Sequence, residues 1–108
     1  MTNGEKLQKI VEQFRFIDSG MHAQAMSIFL YVAKQYPKEI AMTDIANACD
    51  ISQASVSRNV ALLSSYTRYK TKGPNLLEAK EDMHERRRKL VSLTNKGLKF
   101  YNDLEEIL

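Results

Sequence analysis

A run of polar side chains begins at residue 53. These side chains are Gln53, Ser55, Ser57, Arg58 and Asn59. No aspartate or glutamate occurs between Ile51 and Glu78. Short hydroxyl side chains let a helix approach phosphates closely, and glutamine, asparagine and arginine carry the paired groups that hydrogen-bond to base edges. The run therefore has the chemistry of a surface that reads nucleic acid.

The same run has the apolar spacing of an amphipathic helix. Val56, Val60 and Leu63 recur at i, i+4 and i+7 and predict a buried stripe, which leaves the polar side chains on the opposite side. Ser52 is a residue type that caps helices, so we expect a helix over residues 53–66. This helix would present its hydrogen-bonding groups to a partner.

A short helix and a tight turn precede this segment. Ile45, Ala46 and Cys49 form a narrow apolar face, and Asp44 lies in the first turn, where its charge complements the helix dipole. The turn contains Ile51, the one apolar residue there that can fill the angle between two helices. The pattern predicts a helix, a turn and a second helix.

Four consecutive cations occupy residues 86–89. Alternating apolar residues predict two strands, over residues 76–81 and 86–93, joined by residues 82–85. An arginine on a narrow hairpin can enter the minor groove, where phosphates flank it on both sides. Alternatively, the cations pair with nearby acids on a solvated hairpin; these acids are Glu78, Glu81, Asp82 and Glu85.

A basic segment connects the predicted helix to this hairpin. Its cations are Arg68, Lys70 and Lys72. Two interpretations stay open, a solvated loop or additional contacts to phosphate. We expect Tyr66 and Tyr69 to pack on the domain rather than to stack on bases.

Two groups of residues in a fixed order carry a family resemblance. The first comprises Asp44-Ile45-Ala46, Ile51-Ser52-Gln53 and Ser55-Val56-Ser57-Arg58, and the second comprises Arg86-Arg87, Leu90-Val91-Ser92-Leu93-Thr94 and Gly97. Over residues 40–101 this order resembles the winged helix-turn-helix of the MarR family of bacterial regulators. The resemblance implies a mostly α (α+β) fold, with a two- to three-stranded β-wing and flanking N- and C-terminal helices. Glu85 stands where the family has the acid of its Asp-x-Arg wing motif.

The resemblance also implies how the chain would contact double-stranded DNA. The helix over residues 53–66 would enter the major groove, Ser52 and the helix N-terminus would meet phosphate, and the wing would reach the adjacent minor groove. The predicted DNA-binding residues are Ser52, Gln53, Ser55, Ser57, Arg58, Asn59, Arg68, Lys70, Lys72, Arg86, Arg87 and Arg88.

Further helices are predicted on both sides of this motif. Apolar spacing predicts a first helix over residues 5–17 and a central one over residues 21–36, and Thr94 caps a last helix over residues 94–108. In the MarR family the terminal helices interlock two subunits, so the resemblance implies a homodimer. The predicted dimerisation residues are Leu7, Ile10, Phe14, Leu98, Tyr101, Leu104 and Leu108.

The length of 108 residues favours one domain. Charge is unevenly distributed, because residues 1–54 carry five Lys or Arg and six Asp or Glu, whereas residues 55–108 carry eleven and seven. The basic second half favours a polyanionic partner, and a solvated basic face is the alternative. The predicted parts are N-terminal helices (1–36), the helix-turn-helix (40–66), the wing (75–93) and the C-terminal helix (94–108).

The sequence indicates no catalytic or metal-binding arrangement. Cys49 is the single cysteine, so it has no thiol partner within the chain, and a small buried side chain is expected there. His22 and His84 lie in unrelated elements without ligands at metal-binding spacing. We therefore expect no enzyme activity, no metal and no cofactor. With no apolar run of membrane length and no leader, we expect a cytoplasmic protein without a membrane partner.

These features predict a sequence-specific DNA-binding transcriptional regulator, with repression by occlusion as its simplest mode. Two other functions stay open. One is a phage- or plasmid-type winged-helix protein that binds DNA in replication, partition or packaging. The other is a winged-helix protein-interaction module, which would require an apolar surface on the second helix. No group of residues indicates a small-molecule effector.

Overall fold

The computed structural model describes residues 1–65 and 72–108 as five helices and a three-stranded sheet. The elements are α1 (Asn3–Ile17), α2 (Ala23–Lys34), β1 (Ile40–Ala41), α3 (Met42–Cys49), α4 (Gln53–Leu62), β2 (Leu77–Glu81), β3 (Lys89–Leu93) and α5 (Asn95–Ile107). The predicted mostly α (α+β) winged helix-turn-helix is confirmed. Within these residues, no helix combines the length and apolarity needed to cross a bilayer.

Side-chain caps fix where two of the predicted helices begin. The Ser52 hydroxyl accepts a hydrogen bond from the Ser55 amide at 3.1 Å, so α4 begins at Gln53 as predicted. The Thr94 hydroxyl accepts one from the Gly97 amide at 2.9 Å and begins α5. These serine and threonine caps follow from local chemistry, which is why they could be predicted from the sequence.

Two helices are shorter than predicted. α2 ends at Lys34 because the next two amides bond three residues back, to Val32 and Ala33, and Pro37 then has no amide to donate. α4 ends at Leu62, and the amide of Leu63 bonds to carbonyls three and four residues earlier. The prediction that the helix continues is wrong for residues 63–65, which form a turn, and Tyr66 lies outside the described residues.

The sheet forms the wing and joins it to the helix-turn-helix. Its strands are antiparallel in the order β1-β3-β2, with Ile40 and Ala79 on either side of Val91. The prediction that the second wing strand begins at Arg86 is wrong, because β3 begins at Lys89. Residues 82–88 form a loop closed by a hydrogen bond of 2.9 Å from the Asp82 amide to the Arg88 carbonyl oxygen.

The core lies between the outer helices and the helix-turn-helix. As predicted, α4 buries a stripe formed by Val56, Val60 and Leu63. At the centre, the Phe14 ring packs edge-on against Phe29 and Phe100, with ring centroids 5.9 and 5.3 Å apart. This packing anchors α4 from behind and leaves its other side free to face outward.

Candidate nucleic-acid interface

The outward side of α4 is polar and accessible. Ser52, Gln53, Ser57 and Arg58 are exposed, whereas Val56 on the opposite side is fully buried. This division is the one that the helical spacing predicts. No other part of the described chain covers these four residues, so they are available to a partner.

Ser55 orients the guanidinium of Arg58. Its hydroxyl oxygen accepts a hydrogen bond from Arg58 Nη2 at 3.1 Å and another from the Ser52 hydroxyl at 3.0 Å. Ser55 is itself half-buried, so its side chain is less accessible to a partner than those of its exposed neighbours. The cap and the arginine are thus linked through one hydroxyl, which orders the first two turns of the exposed surface.

Asn59 does not belong to this surface, and its prediction as a DNA-binding residue is wrong. The side chain is only 8% exposed because the N-terminal end of α2 covers that side of α4. Its amide nitrogen donates to the Ser55 carbonyl oxygen at 2.9 Å and to Gln24 Oε1 at 3.5 Å. Asn59 therefore joins α4 to α2 instead of facing a partner.

Replacing Asn59 tests this structural role. We expect Asn59→Leu to lower the free energy of unfolding by about 1 to 2 kcal/mol, because it removes these bonds and leaves Gln24 without its partner. Urea denaturation followed by circular dichroism measures the change. Ser57→Ala, on the exposed side of the same helix, is the control and should change stability by less than about 0.5 kcal/mol. Equal stability of both variants would contradict the assignment.

The wing loop presents two arginines to solvent. Arg86 and Arg87 are both exposed, and Glu85 precedes them in the same turn, where its carbonyl oxygen accepts from the Arg88 amide at 2.9 Å. The loop is braced by Asp82, whose carboxylate accepts from the His84 amide at 2.9 Å. The arginines are therefore carried on an ordered turn.

Arg88 differs from its two neighbours. Its guanidinium lies 3.8 Å from the Asp82 carboxylate and 3.9 Å from that of Asp44 in the first turn of α3. These ion pairs link the wing to the helix-turn-helix, but the Arg88 side chain is still 45% exposed and lines the same groove as Arg87, so its contact with DNA stays a prediction. Asp82 and Asp44 were not predicted as wing anchors. Asp82 could have been identified from the sequence, because an aspartate in a predicted turn commonly accepts a hydrogen bond from the backbone amide two residues later.

A groove joins the start of α4 to the wing. Gln53 of α4, Thr43 of α3 and Arg87 of the wing loop all line a concavity of about 320 Å³. Asp44 and Glu85 also line it, and Arg88 and Lys89 offset their charge. The base-reading end of α4 and the arginines of the wing consequently face the same side of the molecule.

Three predicted phosphate contacts lie in the segment between α4 and the wing. Arg68 and Lys70 lie outside the described residues. Lys72 is described and exposed. Its position neither adds to nor removes from the surface formed by α4 and the wing loop.

The predicted dimerisation residues divide into two groups. Leu7 and Leu108 are 62% and 65% exposed, and with half-buried Ile10 and Tyr101 they line an apolar groove of about 640 Å³ between the terminal helices and α2 and α3. Leu98 is half-buried against the core. The core of one chain buries Phe14, at 1% exposed, so Phe14 is not available to a second chain. Leu104 is 3% exposed but lines the same groove, and its role in a dimer stays a prediction.

Cys49 lies at the edge of the same apolar groove. It packs against the core as predicted, and burial raises the pKa of its thiol although nearby Lys34 opposes the shift. In the part of the chain that the structure describes, no cluster of His, Cys, Asp and Glu could hold a metal ion.

The raised pKa of the Cys49 thiol predicts slow alkylation. Because the thiolate is the reactive form, at pH 8 we expect iodoacetamide to modify Cys49 more slowly than an exposed thiol, with a rate that keeps increasing at higher pH. Cys49→Ser combined with Ser19→Cys, in an exposed turn, is the matched control. Equal rates in both proteins would contradict the shift.

Similar solved structures share this arrangement of helices and wing. The solved structures similar to it include MarR-family winged-helix DNA-binding regulators. The S. aureus MepR-DNA complex matches with a TM-score of 0.71 and 22% identity, over 96% of this chain and 73% of that one. Reduced AbfR bound to DNA matches with a TM-score of 0.69 and 14% identity, over 95% of this chain and 66% of that one. Bordetella bronchiseptica BpsR matches with a TM-score of 0.62 and 24% identity, over 95% of this chain and 72% of that one.

The chain thus has the winged helix-turn-helix fold of MarR-family structures. Identities below 25% establish a common fold, and this chain spans about two thirds to three quarters of the length of those proteins. No protein-family model and no curated protein matches the sequence. The resemblance predicted from the sequence is confirmed at the level of the fold.

Proposed function

We propose that this protein is a sequence-specific regulator of transcription that binds double-stranded DNA. The observation that carries the proposal is the groove that Gln53 of α4 and Arg87 of the wing line together. A helix and a projecting loop on the same side can occupy a major groove and the minor groove next to it. MepR and AbfR, which have the same fold, have been crystallised with DNA.

In this proposal each exposed residue has a defined contact. Gln53, Ser57 and Arg58 face base edges in the major groove, and Ser55 holds the Arg58 guanidinium in place. The amides at the start of α4, behind the Ser52 cap, meet a phosphate. Arg87, with Arg86 beside it, enters the minor groove, where the negative potential is strongest if the groove is narrow.

We further propose a homodimer formed through the terminal helices. Leu7 and Leu108 are large apolar side chains exposed on either side of an apolar groove, and a second chain would remove them from water. Two copies would place two DNA-reading units about one helical turn apart on a two-fold site. Repression by occluding a promoter is the simplest regulatory outcome, and we propose that the protein acts in the cytoplasm and has no enzyme activity.

The dimer is tested by a charge on its proposed surface. We expect Leu7→Asp to weaken self-association by about 100-fold or more, because it buries an unpaired carboxylate between two chains. Sedimentation equilibrium measures the association constant. Ser19→Asp, which adds the same charge in an exposed turn, should leave it unchanged. A wild-type protein that stays monomeric, or a Leu7→Asp protein that still dimerises, would exclude this interface.

Selection from a randomised duplex pool tests the function as a whole. We expect the wild type to recover a two-fold symmetric site and to bind it at least about 1,000-fold more tightly than unrelated duplex. Mapping bound genomic fragments then distinguishes promoters from replication origins. Recovery of no duplex at low salt would eliminate the proposal, and sites confined to an origin would assign the protein to replication instead.

A further inference from the structure

The tip of the wing loop exposes a large apolar side chain. Met83 is 96% exposed, more than any other large apolar side chain among residues 1–65 and 72–108. Phe16, the next at 90%, lies on α1, away from the wing. An isolated exposed methionine requires no special role, so its surroundings decide what it could do.

The backbone on both sides of Met83 is held in place. The Asp82 carboxylate accepts from the His84 amide at 2.9 Å, and the Asp82 amide donates to the Arg88 carbonyl oxygen at 2.9 Å. The Asp82 carboxylate is itself mostly buried, at 14% exposed, beside the Arg88 guanidinium. Met83 therefore projects from an ordered turn, so placing it against a partner costs little backbone entropy.

The charges around Met83 indicate what kind of surface it meets. Arg86 and Arg87 are exposed in the same loop, and Arg87 lines the groove that leads to Gln53. A surface that suits this tip must be anionic at its edges and apolar at its centre. The minor groove fits this description, since phosphates border it and the C–H groups of the sugars form its walls.

We propose that Met83 is a specificity-determining residue that packs on the floor of the minor groove and favours A·T over G·C pairs there. This inference rests on the proposed DNA-binding function. The guanine 2-amino group projects into the minor groove, and a thioether placed against it would displace water from that donor without replacing the hydrogen bond. A·T pairs lack this amine, so the same contact has no such cost. Met83 thus gives the wing base selectivity that its arginines alone do not supply.

The test adds the same amine to A·T pairs and compares three proteins. The probe is the duplex recovered by the wild type, with 2,6-diaminopurine replacing adenine only where the wing protects the minor groove. We expect this replacement to weaken wild-type binding by about fivefold or more. Met83→Gln should lose most of that penalty, since its amide oxygen can accept from the added amine. Met83→Leu, which stays apolar, should keep it.

The outcomes separate this inference from the function that it assumes. An equal penalty in Met83→Gln and wild type would assign the selectivity to the arginines and overturn the proposal, as would no penalty in the wild type. Met83-dependent binding to phosphatidylserine vesicles, with DNA binding unaffected in Met83→Gln, would assign the tip to a membrane and also overturn it. If no duplex is recovered, the DNA-binding function falls and the role of Met83 falls with it.

Discussion

A protein that carries both Arg58→Ala and Arg87→Ala is expected to bind the selected duplex at least about 30-fold more weakly than the wild type, because each arginine supplies about 1 to 3 kcal/mol of contact. Both side chains are exposed, Arg58 on α4 and Arg87 on the wing, and Arg87 lines the groove that Gln53 at the start of α4 also lines. The loss should exceed that of either single variant. Fluorescence anisotropy at fixed salt measures it.

The salt dependence separates lost contacts from lost net charge. Each cation that meets a phosphate contributes about one unit to the slope of log K against log salt, so the double variant should show a shallower slope. Arg15→Ala combined with Lys99→Ala removes the same charge from α1 and α5 and is the matched control. If this control loses as much affinity as the double variant, binding depends on net charge and the proposed surface is wrong.

Gly97→Ala is expected to destabilise the fold by about 2 to 3 kcal/mol, although alanine is normally the better residue in a helix. A Cβ at Gly97 would overlap the carbonyl oxygen of Leu76 and would lie 2.9 Å from Leu93 Cδ1. That oxygen cannot easily move away, because it accepts from the Thr94 amide at 3.2 Å and from the Thr94 hydroxyl at 3.1 Å. Urea denaturation measures the effect.

Gly4 provides a matched control within α1. Its added Cβ would find only the Thr2 hydroxyl at 4.0 Å, so Gly4→Ala should be neutral or stabilising by up to about 1 kcal/mol. The two substitutions are chemically identical and are expected to have opposite signs. A Gly97→Ala protein as stable as the wild type would mean that α5 does not pack against the base of the wing as described.

The features that sequence could predict are those set by nearby residues. The start of α4 follows from a serine cap, and its buried stripe follows from the spacing of Val56, Val60 and Leu63. These inferences need no knowledge of what lies across the core.

The features that sequence missed depend on contacts between distant elements. Asn59 has the chemistry of a base-reading residue, but α2 covers it, and helical spacing alone does not show which neighbour packs on which flank. Phe14 has the spacing of an interface residue, yet it completes an aromatic cluster with Phe29 and Phe100. Position along a helix sets the face of a side chain, whereas tertiary packing decides what covers that face.

The wing illustrates how one turn changes the assignment of a charged run. From the sequence, Arg86, Arg87 and Arg88 share a strand and a role. In the structure, the bonds of Asp82 close a loop around them, which leaves Arg87 at the groove and directs Arg88 toward Asp44. Three adjacent cations thereby have different neighbours.

Hydroxyl-radical footprinting of the selected duplex tests most directly whether α4 and the wing form one DNA-binding surface. With the wild type, we predict protected minor-groove segments beside each recognised major groove, repeated with two-fold symmetry. Arg87→Ala, compared at saturating protein, should lose protection at those minor-groove segments and keep the major-groove contacts of α4. A footprint that Arg87→Ala leaves unchanged, or one without any minor-groove protection, would contradict the account.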